Sequence, residues 1–173
     1  MKEKHIILDE DAMLRAIRRI SHEILERNQG IENAIIIGIK RRGIFLAERL
    51  AKHIEAIEGL KLPVYPIDIS LYRDDIVEKK EKEIFSIDTT NRIVILVDDV
   101  LFTGRTIRSA LNALMDAGRP TAIRLAVLID RGHRELPIRA DYVGKNVPTA
   151  RNEKIKVHVK EQDGEDKVVI LEE

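Results

Sequence analysis

Apolar residues recur at helical spacing near the start of the chain, between about Asp9 and Asn28. Met13, Ile17, Ile20 and Ile24 are three or four positions apart, and charged residues fill the other side of the turn. One apolar stripe with a charged opposite face is typical of a surface helix. The pattern therefore predicts an amphipathic helix that packs one side against a core, with a glycine two positions later as its stop signal.

Short apolar runs and amphipathic segments then alternate along the chain. The runs AIIIGI, VYPIDISLY, RIVILV and AIRLAVLID predict strands, whereas IFLAERLAKHIEAI and TIRSALNALMDAG predict helices. Alternating strands and helices are typical of parallel βαβ units, so we expect an α/β fold with a mainly parallel central sheet. Ligands of such sheets bind beyond the carboxyl ends of the strands, where three polar loops follow, at residues 38–43, 98–106 and 130–133.

Two parts of the chain depart from this regular alternation. The segment RDDIVEKKEKEIFSIDTTN is strongly polar, which predicts a solvated excursion. The later segments ADYVG, KIKVHV and KVVIL read as shorter strands. There is no internal repeat and no linker of low complexity, so we expect a single domain over residues 1–173.

Composition narrows the class of protein. Hydrophobic residues make up 44% of the 173 residues, enough for a real core. Thirty basic residues balance thirty acidic ones, so a nucleic-acid partner must be argued from local clusters of charge. The absence of cysteine excludes disulfides and thiolate metal sites. With no apolar run of membrane-spanning length and no signal core, we expect a soluble, cytoplasmic protein without a membrane partner.

The stretch IVILVDDVLFTGRT carries the most specific chemistry. A glycine, two threonine hydroxyls and the start of a helix after a buried strand form a seat for a phosphate monoester. Carboxylates do not bind phosphate, so Asp98 and Asp99 are expected to accept hydrogen bonds from neighbouring hydroxyls. Phosphate beside a diol describes a ribose 5-phosphate. Each residue alone also suits an ordinary turn or cap.

This stretch resembles the phosphoribosyl diphosphate (PRPP) motif of the type I phosphoribosyltransferases, which implies their fold, with a small hood and a flexible lid. The resemblance assigns the ribose hydroxyls and the catalytic centre to Asp98 and Asp99. It assigns the phosphates to two loops. The expected PRPP- and nucleotide-binding residues are Lys40, Arg41, Arg42, Gly43, Asp98, Asp99, Val100, Leu101, Phe102, Thr103, Gly104, Arg105 and Thr106.

Longer segments, above all DRGHRELPIRADYVGKN, resemble one branch of that family, the pyrimidine-operon attenuators that double as uracil phosphoribosyltransferases. The resemblance implies that uracil and PRPP give UMP and diphosphate, with Mg²⁺ held mainly by substrate oxygens and through water by Asp98 or Asp99. It places base recognition at Asp130 and Arg131. It also implies a lid over about residues 72–91 that brings Arg73 to the diphosphate, and a hood from the N-terminal segment and about residues 131–160.

Local charge is compatible with the RNA partner that this branch implies, a hairpin in an mRNA leader. Between residues 131 and 156 seven basic residues face three acidic ones, and the polar side of the first predicted helix is also basic. The absence of a recognition-helix motif disfavours DNA. From charge alone, a solvated surface is an equal alternative. The resemblance selects as RNA contacts Arg18, Arg19, His22, Arg27, Arg134, Arg139 and Lys145.

Three departures from the family pattern keep other functions open. Arg18 and Arg41 stand where relatives commonly carry threonine, and the polar excursion is shorter than in relatives. A shortened lid favours a regulator that binds UMP or UTP with little turnover. The other alternative is a salvage enzyme for uracil or a purine base without RNA regulation. In each case the family implies a homo-oligomer, a dimer or tetramer.

Overall fold

The computed structural model describes residues 1–72 and 87–172 of the chain. The helices in this part are α1 (Glu10–Arg27), α2 (Arg42–Glu58), α3 (Arg105–Asp116) and the short α4 (Lys160–Asp163). The strands are β1 (Lys2–Leu8), β2 (Ala34–Ile39), β3 (Val64–Ile67), β4 (Ile93–Leu101), β5 (Ala122–Asp130), β6 (Tyr142–Asn146), β7 (Glu153–His158) and β8 (Lys167–Glu172). No helix among these residues is long and apolar enough to cross a membrane.

Helix α1 forms where the apolar periodicity predicts it. The Asp9 side chain accepts a hydrogen bond from the Ala12 backbone N–H at 2.8 Å and caps the first turn. The predicted stripe is buried. At the other end, the Asn28 amide donates to the Ile24 carbonyl and to the Tyr142 hydroxyl, both at 2.8 Å, which anchors the last turn on the sheet.

Five strands form a parallel sheet in the order β3-β2-β4-β5-β6. Alternate residues of the central strands join two cores, because successive side chains of a strand point to opposite faces. One core includes Ile36 and Ile95 with the buried sides of α1 and α2, and the other includes Ile35 and Val94 with α3. The helices therefore cover both faces of the sheet, which confirms the predicted α/β fold class.

The second sheet is antiparallel, in the order β1-β8-β7. The expected hood comprises the N-terminal segment and about residues 131–160; β1 and β7 fall within those ranges, whereas β6 belongs to the parallel sheet and β8 lies beyond the predicted range. The sequence did not predict β1, whose residues are mostly exposed and strongly charged. Leu8 of β1, Val157 of β7 and Val168 of β8 nevertheless join the same core as α1, so the small sheet shares its buried side with the first helix.

Two strands end at other positions than the sequence predicts. β4 continues through the two aspartates to Leu101, which pairs with Asp130, because β5 offers a partner over the whole length. The loop that the sequence predicts to begin after Val97 therefore begins only after Leu101. By contrast, β3 stops at Ile67, since the Asp68 carboxylate accepts a hydrogen bond from the Ser70 N–H at 3.0 Å and turns the chain.

The predicted lid lies mainly outside the described residues, and so does Arg73. Its predicted end at residue 91 is too late. Thr89 is fully buried, its hydroxyl donates to the Leu114 carbonyl at 3.1 Å, and its N–H donates to the Ala117 carbonyl at 3.3 Å. Thr89 is thus anchored to the end of α3, and Thr90 and Asn91 are hydrogen-bonded to Arg119 just beyond that helix.

Candidate functional site

A cleft of about 400 Å³ opens at the carboxyl edge of the parallel sheet. Its volume suits a small-molecule ligand. It brings together the loop after β2 and the end of β4, two neighbouring strands, as the parallel topology requires. Seven of the predicted PRPP-binding residues line it, namely Lys40, Arg41, Arg42, Asp98, Asp99, Val100 and Thr106.

The two carboxylates at this edge lie in different environments. Asp98 is only 7% exposed, whereas Asp99 is half-buried. Each accepts a hydrogen bond from the next backbone N–H, from Asp99 to Asp98 at 2.9 Å and from Val100 to Asp99 at 2.7 Å. Burial, and next the negative charge of Asp99, raise the pKa of Asp98 well above its ordinary value.

Two glycines allow close backbone contacts at the ends of the basic loop, Gly43 with β4 and Gly38 with the start of α2. A Cβ atom on Gly43 would come 2.6 Å from the Val97 carbonyl oxygen, and one on Gly38 would come 2.4 Å from the Ile44 Cα. Both neighbours are backbone atoms that cannot turn aside. The loop that carries Lys40 and Arg41, which are exposed and joined by a cis peptide bond, is held above the aspartates by this contact.

Arg42 is already paired within the protein, which the sequence did not predict. Its Nε and one terminal nitrogen donate to the two Asp163 carboxylate oxygens at 3.2 and 3.0 Å. The Arg42 guanidinium lowers the pKa of Asp163. Arg49, two turns along α2, pairs with Glu161 and Asp166 in the same way. These pairs connect α2 to the segment between β7 and β8.

The loop between β4 and α3 has the shape that a phosphate seat needs. Gly104 adopts a φ of +94° at the N-cap of α3, a conformation that favours glycine. The Thr103 hydroxyl accepts from the Arg105 N–H at 3.3 Å, and Thr106 reaches the cleft. Leu101 is buried in the α3-side core, so only its backbone is available to a ligand.

The predicted base-binding residues lie beside this loop and do not line the cleft described above. Asp130 accepts hydrogen bonds from the Gly132 N–H and from Arg134. The Arg131 guanidinium donates to Thr149 and Ala150 and lies over the Phe102 ring. These contacts occupy both side chains within the protein, and their role in base binding stays a prediction.

Helix α1 packs against β6 and joins the two predicted basic clusters into one surface. Arg19 donates to the Gly144 and Val143 carbonyls at 2.5 and 3.2 Å. Arg27 pairs with Asp141 at 3.0 Å and lies over the Tyr142 ring. Of the predicted RNA contacts, Arg18, Arg19, His22, Arg27, Arg139 and Lys145 are exposed, and the contacts of Arg19 and Arg27 with residues 141–144 place these two beside β6. Arg134 is half-buried and hydrogen-bonded within the protein, so it differs from the others.

Sequence reasoning missed three polar residues of the site. Asp68 and Ser70 line the cleft beyond the end of β3. The signal that could have found them is their place after a third strand of the sheet. Asp163 had no such signal, because its partner is 121 positions away. Within the two described ranges, no group of three or more His, Asp or Glu side chains is arranged to hold a metal ion.

Comparisons with known proteins agree with this geometry. The family model of the phosphoribosyl transferase domain matches residues 4–163. The chain is 55% identical to "Bifunctional protein PyrR" of Bacillus mycoides (strain KBAB4), over 99% of each chain. It is equally similar to the protein of the same name from Bacillus cereus (strain B4264), with 55% identity over 99% of each chain.

Solved structures with the same fold are more distant in sequence. A hypoxanthine phosphoribosyltransferase from Staphylococcus aureus superposes with a TM-score of 0.76 at 21% identity, covering 98% of this chain and 92% of that one. The enzyme of the same name from Trypanosoma cruzi, in complex with IMP, gives 0.74 at 16% identity, covering 98% and 91%. At these identities the likeness concerns the fold alone. The full-length identity carries the closer assignment: the chain belongs to the phosphoribosyl transferase family and, within it, to the bifunctional PyrR proteins.

Proposed function

We propose that this chain is a uracil phosphoribosyltransferase that is also an RNA-binding attenuator of pyrimidine biosynthesis genes. The enzyme converts uracil and PRPP to UMP and diphosphate, and the regulator responds to UMP and UTP. One observation carries the proposal. The carboxylates of Asp98 and Asp99 lie between the basic loop after β2 and the loop that leads into α3. They do so in a chain that is 55% identical to bifunctional PyrR proteins.

Each part of the cleft suits one part of PRPP. The loop from Thr103 to Thr106 at the start of α3 receives the 5-phosphate, because backbone donors and the helix dipole favour an anion there. Asp98 and Asp99 accept hydrogen bonds from the ribose hydroxyls. The basic loop at Lys40 and Arg41 faces the diphosphate, whose charge grows as the bond to the anomeric carbon breaks.

The reaction needs no enzymic nucleophile, since the anomeric carbon takes on oxocarbenium character as diphosphate leaves. The chain contributes by holding both reactants in place and neutralising the departing charge. Asp98 and Asp99 would help to hold, through water, the Mg²⁺ ion that PRPP brings, and this ion would supply further charge neutralisation at the diphosphate. The two carboxylates fit an ion held mainly by substrate oxygens, since both line the cleft. Arg73 and the lid would add a second cation and exclude water, a role inferred from the family.

Base choice is assigned to Asp130 and Arg131, at the end of β5. The alternative hypothesis is a purine-specific salvage enzyme, since the solved structures of similar fold include hypoxanthine phosphoribosyltransferases. Initial rates with PRPP and either uracil or hypoxanthine separate the two. We expect UMP formation with uracil and no IMP above background. IMP formation at a comparable rate would overturn the assignment to uracil.

The joined basic surface of α1 and β6 is the proposed RNA site. A cluster of cations on one surface suits a folded RNA. When the cations neutralise phosphates of the RNA backbone, condensed counterions are released, and this release favours binding. Binding to a leader hairpin, measured over a salt series, is expected to weaken steeply with salt. Arg139→Ala is expected to reduce the salt slope by about one. A variant at Arg119, which is exposed and whose backbone is hydrogen-bonded to residues 90 and 91 before β4, is the charge-matched control.

The remaining alternative is a regulator with little turnover. Calorimetry gives the affinity for UMP, and the steady-state assay gives the rate on the same preparation. Tight UMP binding with no UMP formation would favour the regulator and contradict the enzymic half. The proposal also includes cytoplasmic localisation and a homo-oligomer, dimer or tetramer, which sedimentation with and without RNA would define.

A further inference from the structure

The segment from residue 131 to residue 138 donates hydrogen bonds to three consecutive carbonyls, at the end of β4 and in the loop between β4 and α3. The Arg131 N–H donates to the Leu101 carbonyl at 3.1 Å. The Arg134 guanidinium donates to the Phe102 carbonyl at 2.7 Å. The backbone N–H groups of residues 135 and 136 donate to the Thr103 carbonyl at 2.9 and 3.2 Å. Successive peptide groups of the loop are thus fixed from outside.

Fixing a carbonyl also fixes the next N–H, because a trans peptide group is planar and the two point in opposite directions. The Phe102 carbonyl points toward Arg134, so the Thr103 N–H points away from it. In the same way, the Thr103 carbonyl fixes the direction of the Gly104 N–H. The Thr103 and Gly104 N–H groups therefore point to the opposite side of the loop, where a phosphate would bind.

Among these contacts, the Phe102 carbonyl is the one held by a side chain. Arg134 is half-buried and spends its donors on three partners, the Phe102 carbonyl, the Ile138 carbonyl at 2.9 Å and the Asp130 carboxylate. A guanidinium is suited to this task because its donors have a fixed planar arrangement. The same group therefore joins the phosphate loop, the end of β5 and its own segment.

We propose that Arg134 is a positioning residue of the nucleotide site, which orients the Phe102–Thr103 peptide group for phosphate. It acts through that peptide and through Asp130. The inference rests on the proposed function, since it requires the loop to bind the phosphate of PRPP and UMP. This role also connects the nucleotide site to the proposed RNA site, because the exposed Arg139 lies five positions further on in the same chain segment.

The test measures nucleotide binding without RNA. UMP affinity is determined by calorimetry for the full chain, for Arg134→Ala and for Arg134→Lys, with Arg119→Ala as the control. We expect Arg134→Ala to weaken UMP binding by about tenfold or more, as for a lost charge-assisted hydrogen bond to a ligand-binding loop. Arg134→Lys keeps one donor and is expected to lose less. The control is expected to stay within about twofold.

A second measurement separates positioning from general damage to the fold. RNA binding with and without saturating UMP gives the coupling between the two ligands, which must be reciprocal. We expect Arg134→Ala to lose most of the UMP enhancement and Arg134→Lys to keep part of it, with urea denaturation used to check that both variants are folded. UMP binding and enhancement that both survive in a folded Arg134→Ala would overturn the inference.

Failure of the proposed function has a different signature. If the parent chain itself binds no UMP or gives no UMP-dependent change in RNA binding, the proposed function fails, and the inference fails with it. If the parent does both and Arg134→Ala loses RNA affinity alone, with UMP affinity within about twofold, Arg134 is a direct RNA contact and the positioning role is overturned.

Discussion

The guanidinium of Arg131 lies over the ring of Phe102, with its central carbon 3.9 Å from the ring centroid. The side chain is buried, and it donates to Thr149 Oγ1 at 3.0 Å and to the Ala150 carbonyl at 3.2 Å. Burial lowers the pKa of Arg131 from its ordinary value. The stack therefore ties the loop after β4 to the segment before β7, in addition to any contact with the base.

Arg131→Lys is expected to lower the free energy of unfolding by roughly 1–3 kcal/mol, because an ammonium cannot stack flat on the ring and serve both acceptors. Urea denaturation at neutral pH measures the change. Arg119→Lys, an exposed position, is the matched control and is expected to change stability by less than about 0.5 kcal/mol. Equal stability of the two variants would contradict a structural role for the stack.

Asp98→Asn is expected to stabilise the fold at neutral pH while it lowers turnover. Burial raises the pKa of Asp98 in the folded protein, so the charged carboxylate opposes folding once the pH rises through that pKa. The neutral amide removes this cost, and we expect a gain of roughly 1–2 kcal/mol, a common trade between stability and activity. Denaturation curves at several pH values measure it.

The pH dependence provides the check on that explanation. Below the ordinary value of 3.8, Asp98 is protonated in the folded and the unfolded state, so the parent and the variant should differ least there. The gain should appear as the pH rises toward and beyond the raised pKa. A stability difference that is the same at acidic and neutral pH would rule out the buried charge as its cause.

Gly43→Ala is expected to weaken PRPP binding through the basic loop. The new Cβ would lie 2.6 Å from the Val97 carbonyl oxygen, so the loop must move away from the aspartates. We expect a loss of roughly 1–3 kcal/mol in stability and a higher KM for PRPP. Glu48→Ala on the exposed side of the same helix is the control, and a parental KM for Gly43→Ala would contradict the close contact.

Asp163→Asn is expected to loosen the connection between the basic loop and the small sheet. Its pKa is lowered in the folded state, chiefly by the hydrogen bond from Arg42. The pair thus stabilises the fold above the ordinary carboxyl pKa of 3.8, and this contribution disappears as the pH falls through the lowered value. We expect a loss of roughly 1–2 kcal/mol near pH 7 for a half-buried pair.

The same comparison at low pH distinguishes the ion pair from a packing effect. Once Asp163 is protonated in the parent, the parent and Asp163→Asn should converge in stability. Thermal unfolding at about pH 7 and at a series of pH values well below the ordinary value of 3.8 measures this difference. Glu165→Gln, a nearby exposed carboxylate, is the control and is expected to change stability little. A constant gap between the parent and Asp163→Asn would contradict the proposed pairing with Arg42.

The sequence predicted the parallel sheet well because its strands are nearly continuous apolar runs. Such runs, separated by the amphipathic segments of α2 and α3, have few other ways to bury their side chains. It also placed the two aspartates at the carboxyl edge. It did not predict that β4 continues past them, since that depends on a partner strand 29 positions further along the chain, where Asp130 pairs with Leu101.

The contacts missed from the sequence are those between distant segments. Arg42 and Arg134 read as free cations in a basic chain segment, and their partners could be found only in three dimensions. β1 gave no apolar signal because most of its residues are exposed. Charge and periodicity are local properties, whereas an ion pair between α2 and residue 163 is a property of the whole fold.

The proposed function requires that one chain both makes UMP and binds RNA in response to it. The direct measurement pairs both assays on one preparation, with the double variant Asp98→Asn/Asp99→Asn beside the parent. Half of each sample receives uracil, PRPP and Mg²⁺ and is scored for UMP. The other half receives a leader-type RNA hairpin, with and without UMP, over a salt series.

We expect UMP formation that the double variant loses, together with salt-sensitive RNA binding that UMP strengthens in the parent. Turnover without RNA binding at moderate salt would contradict the regulatory half, and the joined basic surface of α1 and β6 would then be solvated surface alone. RNA binding that UMP strengthens, without any turnover, would contradict the enzymic half.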